Sequence, residues 1–131
     1  MINSFKTGDK KYFTKVVDEN DAATFDSGQV HPVYATFALG RDAEWACRLF
    51  VLDMKENDEE GIGTFLHVDH ASPALLGSTV IFEATLKSVE GNIITCNFEA
   101  KSGERLIAEG ETGQKILKKD RLESMFNKLI E

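Results

Sequence analysis

The chain has only two cysteines and two prolines in 131 residues. Cys47 and Cys96 lie in apolar stretches, one in an expected helix and one in an expected strand. Both read as small buried hydrophobes rather than as disulfide partners or nucleophiles. Basic residues are also scarce, 15 against 22 acidic ones, for a net charge of −7. Without a basic stripe to neutralise phosphates, nucleic acid is excluded as a partner. No uninterrupted apolar stretch approaches the ~20 residues of a membrane helix, and Met1-Ile2-Asn3-Ser4-Phe5-Lys6 has no apolar run fit for a signal peptide. The reading is therefore no membrane and a cytoplasmic location. The acidic run Lys55-Glu56-Asn57-Asp58-Glu59-Glu60 reads as a solvated loop, so neither a metal nor a cofactor is expected.

What remains is an ordinary core-forming composition, 42% hydrophobic and 28% charged, enough for a single domain over residues 1–131. Lys10 to Val17 reads as a first strand. Asp18 to Pro32 is a long polar connection, the kind of loop that serves as a lid or binding segment. Pro32 disfavours helix at His31, so a helix is expected to begin after it and to run from Thr36 to Met54. Along that helix Leu39, Ala43, Ala46, Cys47, Phe50, Val51 and Met54 form one apolar stripe, and Trp45, Leu49 and Leu52 a second on the opposite side. A helix apolar on two faces needs something wrapped around it.

Four strands are then expected in succession, Gly61 to Ala71, Thr79 to Val89, Ile93 to Ala100 and Arg105 to Leu117. Val80, Phe82, Ala84 and Leu86 share one face of the second, and Ile94, Cys96, Phe98 and Ala100 one face of the third. Gly91-Asn92 makes the hairpin between them. Leu122, Met125, Phe126, Leu129 and Ile130 recur at helical spacing, which predicts a C-terminal amphipathic helix packed on the body. One strand, a long helix and an antiparallel run give an α+β chain. Its economical architecture is the hotdog fold, a curved antiparallel sheet wrapped around a central helix. Such a sheet leaves an edge open to a second copy, which predicts a homodimer or a dimer of dimers.

Three polar residues stand out against this scaffold: Thr36 at the helix start, Glu44 at the edge of the main stripe, and His70 near the end of the following strand. A hydroxyl, a carboxylate and an imidazole are the groups needed to hold, attack and protonate an acyl group. Each also has a plainer use. Thr36 fits a helix N-cap, Glu44 fits an ion pair with Arg41 or Arg48, and His70 fits a structural histidine. His31 and His67 are read as structural. In a regular helix Thr36 and Glu44 are about 12 Å apart along the axis, too far for a direct bond. The uncapped amides at Thr36 to Leu39 suit a developing oxyanion.

The joint order of Ala35-Thr36, Glu44-Trp45-Ala46-Cys47, Gly63-Thr64 and Val68-x-His70, followed by Ser88-Val89-Glu90-Gly91 and Ala108-Glu109-Gly110-x-Thr112, resembles the hotdog-fold thioesterases of the fluoroacetyl-coenzyme A thioesterase type. The resemblance runs from about Val33 to Phe126. It implies a thioester hydrolase acting on a small or short-chain acyl-CoA, with Thr36, Glu44 and His70 as the catalytic set and the Gly63 backbone beside the acyl group. The segment Ser27-Gly28-Gln29-Val30-His31-Pro32 departs from that type, which carries aromatic residues there, so Val30 would line a different lid. Phe37, where a small residue is expected after the Thr, implies a differently shaped acyl pocket. The competing reading is a non-catalytic hotdog that binds an acyl-CoA or fatty-acyl ligand.

Overall fold

The computed structural model describes residues 1–25 and 28–130. Strand β1 spans Lys10–Val16, and a short 3-10 turn at Glu19–Asp21 leads into a hairpin of β2, Ala22–Phe25, and β3, Gly28–Tyr34. Helix α1 follows at Thr36–Met54, then β4 at Glu59–His70, β5 at Thr79–Glu90, β6 at Ile93–Ser102, β7 at Arg105–Lys118, and α2 at Lys119–Lys128. The five long strands make one antiparallel sheet in the order β1-β5-β6-β7-β4. This is the expected α+β hotdog arrangement, with β1 and β4 as its two edges.

Alternation along the central strands decides which face meets α1. Val80, Phe82, Ala84 and Leu86 of β5 and Ile94, Cys96, Phe98 and Ala100 of β6 are all buried, against the apolar stripe Leu39, Ala43, Ala46, Cys47, Phe50, Val51 and Met54. Each large side chain so removed from water contributes about 1.5–3 kcal/mol. The Cys47 and Cys96 thiols are free and buried, and the interaction with Cys47 together with burial pushes Cys96 up. They serve as core, as expected.

Four expectations change. The acidic run 55–60 is not a solvated loop throughout, because Glu59 and Glu60 open β4 and Glu59 is buried against the N-terminal ammonium. The long connection before α1 is not a plain loop, because much of it forms the β2–β3 hairpin, whose irregular register and internal Pro32 hide it from pattern reading. The second apolar strip on α1 stays open in the single chain, with Trp45 at 42% exposure and Leu52 at 36%. The C-terminal helix seats only Leu122, leaving Met125, Phe126, Leu129 and Ile130 exposed.

Candidate active site

Helix α1 and edge strand β4 run antiparallel to each other, and each helical turn meets the strand at a defined point. At the helix start, Thr36 Oγ1 is hydrogen-bonded to His70 Nδ1 at 3.0 Å. One turn on, a Cβ on Gly40 would lie 3.0 Å from Leu66 Cδ2 and 3.7 Å from Val68 Cγ2. At the next turn, a Cβ on Gly63 would lie 2.5 Å from Glu44 Oε1. At the turn after that, Arg48 donates to the Gly61 carbonyl at 3.2 Å. Small residues on both elements allow the helix to approach the strand this closely.

The structure therefore joins Thr36 to His70 and Glu44 to Gly63, but it does not join the two pairs. Thr36 and Glu44 belong to one regular helix, about 12 Å apart along its axis. Gly63 and His70 lie seven residues apart on β4, about 23 Å of extended strand. A single acyl carbonyl cannot touch both ends.

Local structure fits each pair for chemistry. Ala35 caps α1 without a side-chain bond, and the first turn has no acidic residue. Leu39 N–H is already taken by the Ala35 carbonyl at 2.9 Å. The amides of Thr36, Phe37 and Ala38 thus form an uncapped positive helix end. His70 Nε2 is buried and has no partner among the described residues. In the tautomer where the Thr36 hydroxyl donates to Nδ1, the ring proton sits on Nε2, where a departing group can take it.

The alternative ion pairs for Glu44 are already committed elsewhere. Arg48 pairs with Glu60 at 2.7 Å, and Arg41 with Asp21 at 2.9 Å. Half-buried Glu44 instead lines a depression of about 240 Å³ with Gly63, Thr64, Phe65 and Leu66. The pairing of β4 with β7 slips between Gly63 and Phe65, so Thr64 is a bulged residue beside the carboxylate. Phe37 stands 62% exposed at the helix start. Val30 belongs to β3, and its side chain lies outside the described residues.

A larger depression, about 400 Å³, opens on the outer face of the sheet among Asp69, Glu99, Glu109 and Glu111. Its carboxylates repel an anionic thioester, which makes it the poorer candidate of the two. His67 is part of that outer face, bonded to Asp69 at 2.9 Å, in keeping with its structural reading.

Buried polar groups escaped the sequence reading, Asp21 and Asp42 among them. Asp42 is 6% exposed on the apolar line between Ala38 and Ala46, and it accepts a hydrogen bond from the Tyr34 hydroxyl. A lone carboxylate on an otherwise apolar helix face was the available signal.

The model of the fluoroacetyl-CoA-specific thioesterase family matches residues 17–120. A thioesterase superfamily member from Thermus thermophilus, described as a hypothetical protein, superposes with a TM-score of 0.90 at 36% identity, covering 95% of this chain and 92% of that one. The fluoroacetyl-CoA thioesterase FlK superposes at 0.89 with 22% identity, covering 98% and 100%. A hot-dog-like protein from Thermanaerovibrio acidaminovorans does so at 0.88 with 20% identity, covering 97% and 94%. Curated proteins contain no sequence match to this chain.

Proposed function

The chain belongs to the fluoroacetyl-CoA-specific thioesterase family and is a thioester hydrolase; we propose that it hydrolyses small or short-chain acyl-CoA thioesters at a site built by two copies of the chain. The observation that carries this reading is the division of the catalytic set, Thr36 with His70 at one end of β4 and Glu44 with Gly63 at the other. Antiparallel pairing of two β4 edges about an axis near Leu66 and His67 lays the Gly63 end of one copy beside the partner's His70. Glu44 of one copy then faces the partner's Thr36 and the partner's uncapped helix start. An acyl-CoA is the bound molecule in a structure of a FlK variant with acetyl-CoA, whose fold this chain shares at a TM-score of 0.86.

The two edges differ in the way this pairing requires. Edge β1 carries Lys10, Lys11 and Lys15, each held in an ion pair, and charged edges resist pairing. Edge β4 has no lysine or arginine, and exposes Phe65 at 46% and Leu66 at 42%. Across the outer face, Glu83, Glu99, Glu109 and Asp69 stand directly opposite one another on four adjacent strands. Like charges so aligned oppose stacking of two dimers through that face, which favours the homodimer over a dimer of dimers. The two free buried thiols suit a reducing compartment, the cytoplasm.

In the reaction, Glu44 either takes a proton from a water that attacks the thioester carbonyl or attacks the carbonyl itself, in which case loss of the thiolate leaves an anhydride that water then hydrolyses to restore Glu44. The oxyanion is held by the amides at the helix start. The C–S bond then breaks, and His70 Nε2 gives its proton to the coenzyme A thiolate. The Thr36 hydroxyl fixes the imidazole, and the Gly63 backbone packs on the Glu44 carboxylate and keeps it in place. Phe37 borders the acyl group, and a depression of about 240 Å³ at Glu44 suits a short chain.

Thiol release from a panel of acyl-CoAs, read with a chromogenic thiol reagent, tests the function. Short acyl groups are expected to turn over, and Glu44→Gln to lose about 10²–10⁴ in rate. Near-native turnover by Glu44→Gln on every substrate would overturn the assignment. Single-turnover hydrolysis of acetyl-CoA in labelled water tests the nucleophilic role of Glu44, because label appearing in the protein carboxylate marks a nucleophile.

A further inference from the structure

The chain entering α1 is held by a polar network that the reaction itself does not use. Tyr34, 1% exposed, donates its hydroxyl to Asp42, so a bond spanning eight residues closes the segment that contains Thr36. Arg41 bonds Asp42 through Nε at 3.4 Å and Asp21 through a terminal nitrogen at 2.9 Å. Asp21, 1% exposed, also takes the Asp18 N–H at 3.0 Å and the Lys15 ammonium at 3.2 Å. Its main-chain carbonyl accepts the Ala35 N–H at 2.8 Å, while the Tyr34 N–H goes to Ala74 at 2.8 Å. Ala35, the residue before Thr36, is thus gripped from both sides.

The helix start has no capping side chain to fix it. Left alone, an uncapped first turn frays, and Thr36 would lose its 3.0 Å contact with His70. A buried carboxylate is a poor way to gain stability, because well-packed apolar groups of similar volume commonly do as well. Its value here is directional, since the Tyr34 hydroxyl's bond to Asp42 anchors Tyr34 two residues from Thr36.

We propose that Asp42 is a positioning residue for the Thr36–His70 pair, acting through the Tyr34 hydroxyl, with Arg41 and Asp21 holding the other side of Ala35. The proposal rests on the hydrolase reading, in which that pair orients the proton donor. It adds a polar network on the far side of α1 to the groups that set the rate.

The test compares Tyr34→Phe, Asp42→Asn and Thr36→Val for the ring-nitrogen chemical shifts of His70, for kcat and KM on acetyl-CoA, and for thermal stability. Tyr34→Phe is expected to stay folded and to move the His70 shifts toward those of Thr36→Val. It should lower kcat about tenfold at unchanged KM, the scale of a sub-ångström misplacement. Asp42→Asn keeps an acceptor for Tyr34 and is expected to retain the native shifts. If Tyr34→Phe lowers the melting temperature but leaves the His70 shifts and kcat at native values, the network is structural only and the proposal is wrong. The ring shifts are read in the resting protein, so they decide the positioning role even if no acyl-CoA is turned over, a result that would strike the hydrolase reading alone.

Discussion

A methyl group added at Gly63 separates the role of Glu44 in catalysis from any role in stability. The new Cβ would stand 2.5 Å from Glu44 Oε1, 3.4 Å from Cδ and 3.9 Å from Oε2. To regain the 3.4 Å of ordinary contact, the near oxygen must retreat by about 0.9 Å. The obstacle is the tip of a side chain that borders an open depression, so the carboxylate can turn away without moving backbone. Alanine also suits an extended strand better than glycine, by roughly 0.5–1 kcal/mol, which offsets most of the residual crowding. Gly63→Ala should therefore melt within a few degrees of the native protein. A nucleophile or base displaced by close to 1 Å, however, costs up to about 10²-fold in rate. We expect kcat for acetyl-CoA to fall ten- to a hundredfold, on the order of that misplacement, with KM little changed. Thermal melts and steady-state thiol release on the same preparation measure both. Native kcat in a folded Gly63→Ala protein would refute the placement of Glu44 in the reaction.

Other perturbations follow from the same contacts. A Cβ on Gly110 would lie 1.9 Å from the His67 carbonyl oxygen, so Gly110→Ala should cost at least the ~1–3 kcal/mol typical of overpacking, seen as a large fall in melting temperature. His70→Ala should lose about 10²–10⁴ in kcat with an unchanged melt, and Thr36→Ala should lose less. For Asp21, burial pushes the carboxyl up, but the Asp18 amide, Arg41 and Lys15 outweigh it and hold the folded value below the ordinary one. A depressed carboxylate contributes stability that is present above its unfolded pKa of about 3.9 and is lost as pH falls through the folded value. Melting temperatures should thus drop below about pH 4, and Arg41→Ala should flatten that acid limb. Leu66→Lys, which puts a charge on the open β4 edge, should yield monomers in solution scattering and little turnover.

The parts of the fold legible in the sequence were those with a strong period. Helix α1 begins at Thr36 and ends at Met54 as expected, because Pro32 clears the residues before it and a seven-residue apolar stripe defines its inner face. The alternation in β5 and β6 likewise places Phe82 and Phe98 in the core. The β2–β3 hairpin was not legible, because Ala22–Phe25 is only four residues long and its register shifts twice. Trp45 and Leu52 looked buried because helical periodicity marks an apolar strip without saying whether the covering surface belongs to the same chain. The Thr36, Glu44 and His70 set could be named from residue type and resemblance. That Thr36 meets His70 while Glu44 meets Gly63 depends on α1 and β4 running antiparallel, a contact between elements that neither segment encodes alone.

That division is tested most directly by mixing Glu44→Gln chains with His70→Ala chains. Each variant alone should be a folded, nearly inactive homodimer. In a mixed dimer built across the two-fold axis, the Glu44 of the His70→Ala chain meets the His70 of the Glu44→Gln chain, giving one intact site and one doubly defective one. Coexpression in equal amounts makes half the dimers mixed, so the account predicts recovery of about one quarter of native turnover. If the three residues instead acted within one chain, every site in the mixture would stay defective, and turnover no higher than that of the separate variants would contradict the account.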